Sequence, residues 1–114
     1  MSLHRSLPVY KASYDLFIYS FQLIKDLNKE YKYTAGEKVK NEVMDLMMNI
    51  YRANKSRTKR KERIEKAREN IEVIRILFRL LKDLKQISIK HFSRVNLKIE
   101  EISKQLSGWQ RSTT

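Results

Sequence analysis

The chain has 114 residues, no cysteine, two glycines and one proline, and its 25 Lys and Arg against 13 Asp and Glu give a net charge of +12. That length makes one domain over residues 1–114; scarce Gly and Pro exclude a sheet with many turns, and missing cysteine excludes disulfides, thiolate chemistry and Cys-ligated metal. The first residues lack the apolar core of a signal peptide and no run approaches the ~20 apolar residues of a membrane span, so a soluble, cytoplasmic, all-α protein is expected.

Pro8 suits the first turn of a helix, where its missing N–H has no partner to lose, and it opens a first helix over residues 8–29. Tyr10, Tyr14, Phe17, Phe21 and Ile24 recur at four- and three-residue spacing and predict an aromatic stripe along one face, flanked by Leu16, Leu23 and Leu27. Thr34-Ala35-Gly36-Glu37 has the capping-box pattern, in which Thr and Glu satisfy reciprocal free N–H groups, and it starts a second helix over 35–54. Val39, Val43, Leu46, Ile50 and Ala53 keep the same alternation, which Asn54-Lys55-Ser56-Arg57 breaks. A third helix over 59–85, about 40 Å long, carries Ile64, Ala67, Ile71, Ile74, Phe78 and Leu81. Ser88 is the expected N-cap of a fourth helix over 89–110, with Phe92, Val95, Ile99, Ile102, Leu106 and Trp109 in line and Gly108 near a frayed end. Short links force consecutive helices antiparallel, so the four make an up-down-up-down bundle.

Apolar surface exceeds what one bundle core covers. Val73, Ile76, Leu77, Leu80 and Leu84 widen the apolar arc of the third helix to about 240°. Met44, Met47, Met48 and Tyr51 lie away from the core stripe of the second helix, and Leu16, Leu23 and Leu27 flank the aromatics of the first. These residues predict a homo-oligomer interface, the alternative being a thicker core that absorbs them.

Basic side chains are concentrated in one segment. From Arg52 to Arg68, nine of seventeen residues (Arg52, Lys55, Arg57, Lys59, Arg60, Lys61, Arg63, Lys66, Arg68) are cationic against Glu62 and Glu65, which leaves +7 of the net +12 there. Such a strip tracks phosphates and releases counterions, giving affinity without sequence information, unless it is only a solvated charge run. Arg75 and Arg79 stand four residues apart with planar forks suited to phosphate, or else pair with Glu72 and Asp83. Tyr31, Tyr33 and Tyr51 either stack on bases or pack at helix ends. His4 and His91 lack a carboxylate at Glu-x-x-His spacing, and Glu100 and Glu101 point apart. With no Gly-rich phosphate loop, nucleophile elbow or His-Glu-x-x-His motif, neither metal, cofactor nor catalysis is expected.

Several segments read together: Leu7-Pro8-Val9-Tyr10 with Tyr14-Asp15-Leu16, then Tyr31-Lys32-Tyr33-Thr34-Ala35-Gly36-Glu37-Lys38, Leu81-Lys82-Asp83-Leu84, and Leu106-Ser107-Gly108-Trp109-Gln110-Arg111. They resemble the Avd family, the accessory variability determinants of diversity-generating retroelements, within the four-helix-bundle proteins that include those of 23S rRNA intervening sequences. The resemblance covers nearly the whole chain. It implies a pentameric barrel of bundles with a basic, nucleic-acid-binding surface. The implied partners are the reverse transcriptase and the template-repeat RNA, in adenine-mutagenic cDNA synthesis and retrohoming. By the same resemblance, Arg75 and Arg79 match an Arg-x-x-x-Arg spacing on the family's third helix, and Gly108-Trp109 matches a Gly-Trp-like ending. The run from Lys55 to Lys61 is more basic than the family pattern. Two other readings of the basic bundle are a 23S rRNA intervening-sequence type with generic RNA binding, and a scaffold at anionic membrane surfaces.

Overall fold

In the computed structural model, which describes residues 7–113, Pro8 opens α1 (Pro8–Ile24) at the first-turn position its ring favours. The helix stops five residues short of the expected 29. Leu27 turns inward and is buried, and Asn28 takes an extended backbone whose N–H donates to Gln86 Oε1 at 2.9 Å. A single helical turn, α2 (Lys29–Lys32), then leads to α3 (Ala35–Lys55). The capping box expected at Thr34 does not form, although the helix starts where the pattern puts it. The Thr34 hydroxyl donates to the Glu30 carbonyl at 2.6 Å instead, because α2 brings that carbonyl one helical turn behind it.

α4 (Arg60–Asp83) ends in a Schellman motif: Lys85 takes φ 60°, Gln86 N–H reaches the Leu81 carbonyl and Lys85 N–H the Lys82 carbonyl, both at 2.9 Å. Ser88 caps α5 (Ile89–Thr113) as expected, its Oγ accepting the His91 N–H at 3.0 Å. α5 does not fray at Gly108 but continues to Thr113, whose hydroxyl donates to the Trp109 carbonyl at 2.7 Å.

Each long helix packs on two others, α1 on α3 and α5, and α4 on α3 and α5, so α1 and α4 form a diagonal of a bundle measuring 42 × 23 × 20 Å. The apolar stripes of α3 and α4 are buried at every expected position, and on α5 Val95, Ile99, Ile102 and Leu106 are buried with Phe92 and Trp109 at the edge. α1 departs from expectation. Its buried face is Val9, Ala12, Ser13, Leu16, Ser20, Leu23 and Ile24, whereas Tyr14 is 47% exposed and Phe17 and Phe21 only half-buried. Ala12, Ser13 and Ser20 let α1 approach its neighbours closely, and rings the size of Phe17 and Phe21, which pack against each other at a tilt with centroids 4.5 Å apart, have no room there. Leu16, Leu23 and Leu27, expected at an oligomer interface, are therefore core residues of the subunit itself, as is Met47.

The rest of the expected interface is outside. Met44, Met48, Ile76, Leu80 and Leu84 are exposed, with Val73 and Tyr51 half-buried. Among the described residues no helix is long and apolar enough to cross a membrane.

Candidate nucleic-acid interface at the α3–α4 turn

The chain reverses between α3 and α4 over Ser56-Arg57-Thr58-Lys59. Ser56 organises this turn, donating its N–H to the Arg52 carbonyl at 3.1 Å and accepting the Lys59 N–H on Oγ at 3.3 Å. Arg60 is consumed by the fold: its Nε donates to the Ala53 carbonyl at 2.8 Å and its Nη2 to the Asn54 carbonyl at 3.1 Å, closing the open end of α3. Arg63 is aimed rather than consumed. Its guanidinium donates to Asn49 Oδ1 at 3.3 Å, Asn49 donates to Asn70 at 2.8 Å, and Asn70 donates to Glu42 at 3.0 Å, a part-buried polar ladder between α3 and α4.

Arg52, Lys55, Arg57, Lys59 and Lys61 are exposed and make no ion pair with any described residue. Lys59 and Lys61 flank the start of α4, where unsatisfied N–H groups already carry partial positive charge and each added cation costs about 0.3–1 kcal/mol. The acid of that first turn, Glu62, lies 3.7 Å from Lys66. A small cleft of 200 Å³ is lined by Tyr51, Arg52, Lys55, Ser56, Lys59 and Arg63, which is four cations, one ring and no carboxylate. It adjoins a wider groove of 480 Å³ through the shared Arg52 and Arg63, where Asp45 and Glu69 dilute the charge. The cleft wall itself is almost all carbon, from Tyr51 and side-chain stems, with the exposed heads of Arg52, Lys55 and Lys59 around it in solvent, so a base can stack within reach of cations that hold its phosphate.

The remaining expected contacts are dispersed and largely satisfied. Arg75 is bonded to Glu72 and to Glu100 of α5, Arg79 lies 3.8 Å from Asp83, and Arg68 donates to Gln110. The Arg75 and Arg79 pair is thus matched by carboxylates rather than presented as a free fork, and Arg60 and Arg75 leave the set of available cations. Tyr31 packs against the core, and Tyr33 is 64% exposed beside Lys32. His4 lies outside the described residues. No group of three or more His, Asp or Glu side chains able to hold a metal occurs among the described residues.

One cationic row escaped the sequence reading altogether. Lys90, Arg94 and Lys98 climb α5 at four-residue spacing, a signal visible in the sequence but overshadowed by the denser run at residues 52–68.

No curated protein matches the chain. Residues 8–113, which hold all four long helices, match the protein family described as bAvd-like, and the chain therefore belongs to that family of Avd-type accessory, non-catalytic proteins.

Proposed function

We propose that this protein is the nucleic-acid-binding accessory subunit of a diversity-generating retroelement, acting with the reverse transcriptase and its template RNA or cDNA in mutagenic retrohoming. Family membership supports the setting, and one observation carries the binding role: the unpaired cations Arg52, Lys55, Arg57, Lys59 and Lys61 gathered at the α3–α4 turn. Arg52 and Lys55 suit the C-terminal end of α3, but Lys59 and Lys61 oppose the dipole of α4, and the crowding of five like charges at one turn is a cost that a phosphate backbone relieves.

The working unit is a homo-oligomer, a pentamer by family resemblance. Two separate apolar strips support assembly. One runs along the outward face of α4 through Val73, Ile76, Leu80 and Leu84; the other is made of Tyr14 and Ile18 exposed on α1 with Met44 and Met48 exposed on α3. Contact between unlike strips generates rings when the rotation closes.

Binding of single-stranded RNA across a salt series tests the proposal. Affinity should fall steeply with salt, and Lys55→Gln, Lys59→Gln and Lys61→Gln together should reduce the log–log slope by about 2, at ~0.7 per phosphate contact. An unchanged slope, or no RNA binding at low salt, overturns the binding role. Co-purification from the native host should recover the reverse transcriptase, and its absence removes that partner.

A further inference from the structure

The geometry points to a second phosphate-binding face on this protein, built by α5 and α1 around Tyr19, which takes a separate stretch of the same nucleic-acid strand. This inference rests on the nucleic-acid reading above and extends it to a surface diagonally across the bundle from the α3–α4 turn.

Tyr19 sits on the flank of α1 that faces α5. The Arg94 guanidinium carbon lies 5.9 Å and Lys98 Nζ 5.6 Å from its ring centroid, and the His91 ring meets it edge-on at 6.3 Å. Lys90 continues the row one turn towards the start of α5, exposed like Arg94. Three cations at four-residue spacing repel one another, by roughly 0.2–0.5 kcal/mol per neighbouring pair. A carboxylate between them is the ordinary remedy, and on α4 the structure uses it, with Glu72 and Glu100 on Arg75 and Asp83 beside Arg79. On α5 no described residue forms an ion pair with Lys90, Arg94 or Lys98. Two acids on the same two helices have other partners: Asp15 is held by Lys11 at 3.2 Å, and Glu101 accepts from Gln105 at 3.1 Å.

What holds Arg94 and Lys98 together is the electron-rich face of Tyr19. An aromatic face attracts cations without neutralising them, so the row keeps its full positive charge while its side chains are oriented. The Tyr19 ring is the group that both cations meet, while its hydroxyl is turned inward and buried. A charged row of this kind, about 6 Å from one cation to the next along a helix, matches successive phosphates of an extended strand rather than a compact anion. Arg52, Lys55 and Lys59 lie at the end of the bundle where α3 meets α4, whereas Lys90 and Arg94 lie at the opposite end, where α5 begins. One subunit therefore offers two phosphate tracks separated by much of its 42 Å length.

Salt-dependent binding of single-stranded RNA to full-length protein is measured for the triple variant Lys90→Gln, Arg94→Gln, Lys98→Gln beside the α3–α4 turn variant. All three positions are surface side chains outside the core, so the variant is expected to fold with unchanged helicity. The expected result is a log–log slope reduced by about 2, additive with the turn variant when the two are combined on a strand long enough to reach both faces. Tyr19→Phe should bind as the parent does, and Tyr19→Leu should weaken binding several-fold at equal helix content, because only the ring orients the row. A parental slope in the α5 variant together with a reduced slope in the turn variant overturns this second face and leaves the nucleic-acid role standing. Parental slopes in both variants overturn the two together.

Discussion

Lys85 is the one non-glycine residue among those described with left-handed backbone, φ 60°, and it occupies the position at which helices ending in a Schellman motif usually carry glycine. A Cβ in that region costs about 1 kcal/mol, so Lys85→Gly is expected to raise unfolding stability by roughly that amount, read as a higher urea midpoint at unchanged slope. The two glycines give opposite expectations. A Cβ on Gly36 would lie 2.9 Å from Ile24 Cγ2 and 3.1 Å from the Tyr31 carbonyl, both fixed at the corner where α1, α2 and α3 meet. Gly36→Ala should destabilise by roughly 1–2 kcal/mol as that corner is pushed apart. Gly108 has only the mobile end of Arg111 nearby, at 3.8 Å, inside a continuing helix, so Gly108→Ala should stabilise by about 0.5–1 kcal/mol. Thermal melts of the two variants check the sign. At this scale the sequence is a partial guide: Pro8 and Ser88 act as their residue types suggest, but Thr34 finds a carbonyl one turn back and leaves its cap unmade.

Elements were legible wherever a helix has one dominant apolar face. The buried positions of α3 and α4 follow their seven-residue spacing directly, although both helices carry further apolar residues, Met44 and Met48 on α3 and Ile76, Leu80 and Leu84 on α4, that remain outside the core. α1 has two candidate faces, and its regular row of aromatics marks the wrong one. Its aromatic row has the larger rings, but the core takes Val9, Leu16 and Leu23 together with Ala12, Ser13 and Ser20, whose small side chains permit close packing. The basic run was legible as charge and not as roles, since only the folded turn separates Arg60, which closes α3, from Lys61, which faces solvent. That distinction is measurable. Arg60→Met removes two hydrogen bonds to otherwise open carbonyls and should cost about 1–2 kcal/mol, whereas Lys61→Gln should stay within about 0.5 kcal/mol. Equal urea midpoints for the two would show that the Arg60 bonds contribute nothing.

Assembly belongs to the whole molecule, since α1 and α4 are diagonal and their apolar borders face away from each other. A dimer related by a two-fold axis uses one patch twice; a closed ring uses two different patches once each. Lys40 Nζ lies 5.1 Å from the Phe21 ring, where α1 meets α3; Met44 and Met48 are exposed on α3, Met48 at the wall of the α3–α4 groove, and their flexible thioethers are suited to receiving an aliphatic ridge such as Ile76, Leu80 and Leu84. Light scattering at micromolar concentration should therefore give the parent chain a mass several times that of one subunit. Leu80→Glu and Met48→Glu each put a charge into one of the two patches, at positions 44% and 43% exposed in the subunit, so helicity should persist while association weakens by about 3 kcal/mol, roughly a hundredfold. Each variant alone should run as a monomer, because every contact in a head-to-tail ring needs one patch of each kind. Mixed in equal amounts, the two variants retain one complementary pair between them and should recover a species of twice the subunit mass. Two-fold pairing of α4 on α4 predicts instead that Met48→Glu alone still dimerises and that mixing adds nothing, and a monomeric parent chain removes the ring altogether.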